Sequence, residues 1–108
     1  MIRAFDFAAP VIAALLATTA AEAKQTQRSA TVAVDKLAFG AIPANMRVGD
    51  SIVWANRDIF RHSATAAGHF DVDLPPGTRR RMVLRRAGAF TFMCKYHPGM
   101  KGMLKVSP

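Results

Sequence analysis

The chain has 108 residues, 51% of them hydrophobic, a formal net charge of +8 and one cysteine. That length suits one small domain rather than several. A single thiol excludes the internal disulfide that small exported domains often use as a staple. The basic balance would ordinarily point to nucleic acid, but the N-terminus points elsewhere.

Residues 1–23 have the pattern of a secretory signal peptide. Arg3 supplies a positive start, an apolar run follows from Phe7 to Ala17, and Ala21-Glu22-Ala23 is a small-x-small cleavage signature. The run is too short to span a membrane, which takes roughly 20 residues. Asp6 and Pro10 are untypical of such a segment. The expected domain is therefore residues 24–108, exported to a bacterial periplasm. Removing residues 1–23 takes away Arg3, Asp6 and Glu22, which leaves 14 basic against 5 acidic side chains and a net charge of +9. An exported chain rarely meets nucleic acid. The charge fits an acidic or anionic protein partner, or a weak attraction to an anionic membrane surface. A monomer with no membrane span is expected.

The predicted elements are strands. Lys24 to Arg28 is polar and expected to fray. In "ATVAVDKLAF", Val32 and Val34 share one side, opposite Thr31, Ala33 and Asp35. In "SIVWAN", Ile52 and Trp54 lie together, and Trp54 is a core candidate. "RRRMVLRR" pairs Met82 with Leu84, "AFTFMC" aligns Phe90, Phe92 and Cys94, and "MLKVS" aligns Leu104 with Val106. Such period-two runs, rich in Val, Ile, Phe and Thr, read as strands. Turn signals separate them at Ile42-Pro43-Ala44-Asn45, Gly49-Asp50, Pro75-Pro76-Gly77 and Ala87-Gly88. The pattern predicts an all-β fold, a small β-sandwich, with neither repeat nor second domain.

Strand parity places the Cys94 sulfur inward, at a strand end. His97, Met100 and Met103 follow it in "CKYHPGMKGM", kinked by Pro98-Gly99. A lone exported cysteine is reactive, paired between chains or bound to metal. Thiolate, imidazole and thioether together are soft ligands that suit copper, and a blue-copper site needs two His, one Cys and an axial Met. The second histidine must be His62, after the Trp54 strand, or His69, after a glycine in a surface loop. Spacing favours Met100 over Met103 as the axial donor.

"VGDSIVWANRDIFRHSATA" followed by "GAFTFMCKYHPGMKGMLKV" resembles the cupredoxins, the small blue copper proteins, and the C-x2-H-x2-M spacing is similar to the amicyanins among them. The resemblance covers about Thr31 to Val106. It implies a Greek-key β-sandwich of eight or so strands with one type 1 copper at one end, cycling between Cu(I) and Cu(II). It implies His62, Cys94 and His97 as equatorial ligands and Met100 as the axial one. It implies electron transfer through the exposed edge of His97, with Pro98, Gly99 and Met100 as an apolar contact patch. Arg57, Arg61, Lys95, Lys101 and Arg79 to Arg81 are candidate steering cations. Arg61 and Ser63 stand where many members have Pro and Asn. Ser63 can still hydrogen-bond with a shorter reach, and Arg61 would bring a cation near the metal.

Three rivals come from other classes. A copper carrier or chaperone would hold Cu(I) through Met100, Met103 and His69 without a redox role. An enzyme would use Cys94 and His97 as nucleophile and base, in a very small hydrolase. "CKYH" lacks the second cysteine of a c-type haem site. A nucleic-acid binder would need an aromatic platform that the sequence does not show. The expected protein is an electron carrier and not an enzyme.

Overall fold

The computed structural model describes residues 26–108. The signal-peptide expectation for residues 1–23 lies outside the described residues. Nine strands run through the described chain: β1 Ser29–Asp35, β2 Ala38–Phe39, β3 Met46–Arg47, β4 Ser51–Asn56, β5 His62–Ala66, β6 Phe70–Leu74, β7 Arg79–Val83, β8 Gly88–Met93 and β9 Lys101–Ser107. They form two sheets, ordered β2-β1-β4-β7 and β3-β9-β8-β5-β6. β1 lies parallel to β4, and β3 parallel to β9. Neighbours distant in sequence mean that the chain crosses repeatedly between layers, as in a Greek key. This is the all-β sandwich that the alternation predicts, with the Greek-key connections that the resemblance implies. Among the described residues no helix is long and apolar enough to cross a membrane.

The strand faces follow the sequence pattern. Val32, Val34, Ile52, Trp54, Phe92, Cys94 and Leu104 are all at most 1% exposed and pack as one core. Trp54 lies between Phe39, Phe70 and Phe92, with ring centroids 6.0, 6.3 and 5.2 Å away. Phe92 pairs across the strands with Gly102. A Cβ on Gly102 would fall 2.4 Å from Phe92 Cζ, so the ring occupies space that only glycine leaves free.

The structure departs from the sequence reading in three places. The run from Ala30 to Phe39 is a hairpin rather than one strand, turning at Lys36 and Leu37 (φ 51° and 59°). β3, β5 and β6 are strands that the reading leaves in connections. Arg28, expected to fray, is also tied into the sandwich. The Arg28 N–H donates to Asp50 Oδ1 at 2.8 Å, and the Ser51 N–H donates to the Arg28 carbonyl at 2.9 Å.

Candidate metal centre

Antiparallel pairing builds the site. β5 begins at His62 and pairs antiparallel with β8, whose last residue precedes Cys94. The start of one strand thus meets the end of the other. Met93 pairs with Lys101, so residues 94–100 form a loop that closes on itself. Within it the Cys94 N–H donates to the Met100 carbonyl at 3.0 Å, and the Met100 N–H donates to the His97 carbonyl at 2.8 Å.

The potential ligand atoms of His62, Cys94 and His97 all lie within 4.8 Å of one another. Cys94 Sγ is 3.7 Å from Nδ1 of His62 and 3.7 Å from Nδ1 of His97. Bonds of roughly 2.0 Å to nitrogen and 2.3 Å to sulfur, opened to about 120°, separate nitrogen from sulfur by about 3.7 Å. Each imidazole nitrogen is therefore at a separation from the sulfur that two bonds to one first-row metal ion would span. His62 and Cys94 are fully buried and His97 is half-buried. Met100 is also buried, at 5% exposure.

The sulfur is prepared as a thiolate. Burial pushes the Cys94 thiol up, but bonds from His62, the Ser63 N–H, His97 and the Tyr96 backbone outweigh it and bring it down to about 6. Ser63 ties the two ligand segments together. Its N–H donates to Cys94 Sγ at 3.4 Å, and its Oγ accepts from the Lys95 N–H at 2.9 Å. The short side chain suffices because β5 and β8 are neighbours in the sheet. Ser63 Oγ also bonds Thr65 Oγ1 at 2.9 Å, and Thr65 donates to Asp71, which accepts from Lys95 Nζ as well.

Behind His62 stands a residue that the sequence reading missed. His62 Nε2 lies 2.8 Å from Asp58 Oδ2. The Leu37 N–H and then the His62 ring hold the Asp58 carboxyl below its usual range, against the opposing push of burial. The signal was the Asn56-x-Asp58 spacing, a side chain that bonds its own backbone two residues on. The Asp58 N–H does donate to Asn56 Oδ1 at 2.9 Å.

The other candidates separate. His69 sits in the β5–β6 turn, at the far end of β5 from His62, with its ring 4.8 Å from that of Phe90. Met103 is 52% exposed, paired with Thr91 on the outer face of the sheet, opposite in parity to Leu104 and Val106. Arg61 is not an uncompensated cation: it forms a two-point ion pair with Asp73, and its guanidinium lies 5.7 Å from the Tyr96 ring centroid. Tyr96 is a surface residue, 47% exposed. Lys95 is paired with Asp71 at 3.0 Å. Met100 is too buried to belong to an apolar surface. That surface gains Ile59, 82% exposed, and Phe60, whose ring centroid is 6.1 Å from that of His97, beside exposed Pro98 and Gly99.

A two-sheet Greek-key sandwich with a buried His–Cys–His cluster at one end has the cupredoxin fold. No protein-family model and no characterised protein matches the sequence. Solved structures do match. Amicyanin from Paracoccus versutus superposes with a TM-score of 0.63 at 19% identity, over 73% of this chain and 81% of that one. A mutant amicyanin in the Cu(I) state gives 0.63 at 22% identity, over 73% and 82%. The Cu-containing nitrite reductase (NirK) from Thermus scotoductus SA-01 gives 0.66 at 25% identity, over 74% of this chain. The chain spans only 22% of that reductase's length.

Proposed function

We propose that this chain is an exported, periplasmic electron carrier, and that His62, Cys94, His97 and Met100 would hold one copper ion. The observation that carries the reading is the buried sulfur 3.7 Å from two imidazole nitrogens. Copper bound there would supply a one-electron couple between Cu(I) and Cu(II). The chain's own contribution is rigidity. His62 starts a paired strand, and Cys94 and Met100 are locked by backbone bonds across their loop. Ser63 links the two segments. A cage held this firmly changes little between oxidation states, which keeps electron exchange fast.

His97 is the proposed port, since it is the one member of the cluster that is not fully buried. Phe60, with its ring centroid 6.1 Å from that of His97, and the chain neighbours Pro98 and Gly99 offer exposed apolar surface beside it, and exposed Ile59 precedes Phe60 in the chain. Arg57, Arg79 and Lys101 are exposed cations without an ion pair among the described residues. They favour an acidic or anionic redox protein as partner to a monomer, because complementary charge raises encounter rate. Arg79 starts the strand paired with the end of β4, at the same end of the sandwich as His62.

The alternative, a carrier of Cu(I) with no redox duty, has less support, because Met103 and His69 do not join the cluster. The deciding experiment is the visible spectrum of residues 24–108 titrated with Cu(II), beside Cys94→Ala and Met100→Leu. An intense thiolate-to-copper band is expected, absent in the first variant and shifted in the second, bleaching with reductant and returning with oxidant. Copper bound only as Cu(I), with no such band, would leave the carrier as the answer.

A further inference from the structure

We propose that Asp58 is the positioning residue of this centre: it holds a hydrogen on Nε2 of His62, which assigns Nδ1 to the metal, and sets a negative charge behind that ligand that biases the site toward Cu(II). The inference rests on the copper reading above for its redox half and on metal-free geometry for the other.

The two ring nitrogens of His62 have different surroundings. Nδ1 is 3.7 Å from Cys94 Sγ, and Nε2 is 2.8 Å from Asp58 Oδ2. An ionised carboxylate only accepts, so Nε2 carries a hydrogen, and Nδ1 is the nitrogen left to face the sulfur, as a donor to the thiolate without metal and as the ligand atom with it. A carboxylate behind a ligating imidazole orients it and raises its basicity.

Asp58 is held by contacts independent of His62. Its N–H donates to Asn56 Oδ1 at 2.9 Å, and its Oδ2 accepts from the Leu37 N–H at 2.9 Å. Asn56, only 2% exposed, donates its amide to the carbonyls of Phe60, Leu74 and Pro75 at 2.8, 2.8 and 3.3 Å. The carboxylate is thereby anchored to the β1–β2 turn of one sheet and, through Asn56, to the end of β6 in the other. That turn is itself unusual. Lys36 and Leu37 both have positive φ, in a two-residue hairpin turn that ordinarily takes Asn-Gly. L-residues adopt this conformation at a cost, and here it aims the Leu37 N–H at Asp58.

The direction of the bias follows from charge. Cu(II) carries one more positive charge than Cu(I), and a fixed negative charge nearby stabilises the higher state more. Arg61 does not cancel it, because its own charge is matched by Asp73.

The test uses Asp58→Asn, which keeps the shape and one acceptor oxygen, removes the charge and turns the other oxygen into a donor amide. Asp73→Asn serves as a control at an exposed carboxylate near the same end. Asp58→Asn is expected to shift the Cu(I)-to-Cu(II) binding preference about tenfold toward Cu(I), a rise of about 59 mV in a one-electron potential. Asp73→Asn is expected to move it by less than about threefold. In the metal-free wild type, nitrogen NMR should find a hydrogen on Nε2 of His62, and Asp58→Ala should populate the form that carries it on Nδ1 alone. A blue band with an unchanged potential in Asp58→Asn would overturn the charge bias. A wild-type His62 with no hydrogen on Nε2 would overturn the positioning role. A protein that never forms the band would remove the copper reading, and with it the bias, while the metal-free spectrum still decides the tautomer.

Discussion

The two ends of the sandwich use the same side chain for different purposes. β4 is preceded by Asp50 at one end and followed by Asp58 at the other, and each carboxylate pins the backbone of a distant segment. Asp50 Oδ1 accepts from the Arg28 N–H, and its Oδ2 accepts from the Arg47 N–H at 2.9 Å. Both of its oxygens are occupied by backbone donors. Asp58 also accepts one backbone N–H, from Leu37, but its remaining capacity goes to the imidazole of His62. A buried carboxylate must have its lone pairs satisfied, and whether the last partner is an amide or an imidazole separates a structural anchor from one that feeds a site. The same division shows in the histidines. His62 is buried between a carboxylate and a thiol, whereas His69, at the other end of β5, is exposed with Phe90 as its ring neighbour.

The comparison would break most visibly at Cys94. Cys94→Ala should abolish the thiolate-to-copper band completely while leaving the far end intact. A small buried side chain is shortened there by one atom, so unfolding in urea should show a loss of about 1 kcal/mol. If the variant keeps the band, the sulfur is not the ligand and the division between the ends fails.

Gly102→Ala is the next largest effect, and it tests whether packing under the site controls the site. The added methyl meets the Phe92 ring, which is 1% exposed and already packed against Trp54 and Phe39. Overpacking of this kind costs about 1–3 kcal/mol. Because Cys94 lies two residues beyond Phe92 on the same face, the copper band should also broaden. A stability loss without any spectral change would mean that the loop is insulated from the core below it.

At the far end, Asp50→Asn should leave the copper band unchanged and lower the melting temperature by several degrees. The N–H groups of Arg28 and Arg47 hold the Asp50 carboxyl below its ordinary value of 3.8. A carboxyl with a depressed folded-state pKa contributes stability that is fully present above the unfolded value and is lost as pH falls through the folded one. The wild type should therefore lose thermal stability more steeply than Asp50→Asn below about pH 4. Parallel acid profiles would show that those two bonds do not anchor the N-terminal strand.

Much of this was legible in the residues. Inward pairs such as Val32 and Val34, or Phe90 and Phe92, declare their strand by strict alternation, and the ligand loop declares itself by spacing. β6 alternates too, with Phe70, Val72 and Leu74 set against Asp71 and Asp73. Its neighbour β5 hides, because His-Ser-Ala-Thr-Ala has almost no contrast between faces, and His62, Ser63 and Ala64 are all buried. Its identity as a strand is set by β6 and β8 on either side, which no local pattern contains. The Asn56-x-Asp58 spacing marks a turn, but what the Asp58 carboxylate meets was hidden for a similar reason. Its partner Leu37 lies 21 residues earlier in a turn whose conformation runs against its own residue types. The compensation of Arg61 and Lys95 by Asp73 and Asp71 likewise depends on the register of β5 with β6.

The smallest effect expected discriminates between the ends most directly. Lys101 and Lys105 lie on one face of β9, both exposed and neither ion-paired among the described residues. Lys101 borders the ligand loop, and Lys105 is four residues further along, roughly 13 Å away at the rise of a strand. Lys101→Glu and Lys105→Glu alter the net charge identically, so any difference between them reports position alone. At about 0.1 M ionic strength the Debye length is about 10 Å, and the field of a charge near position 105 is largely screened at His97. Oxidation of the reduced copper protein by hexacyanoferrate, an anion, should slow about two- to threefold in Lys101→Glu and by less in Lys105→Glu. The gap between them should close near 1 M salt, where screening reaches about 3 Å. Equal slowing at both positions would mean that electrons do not leave through the end that His97 occupies, and the port would have to be sought elsewhere on the sandwich.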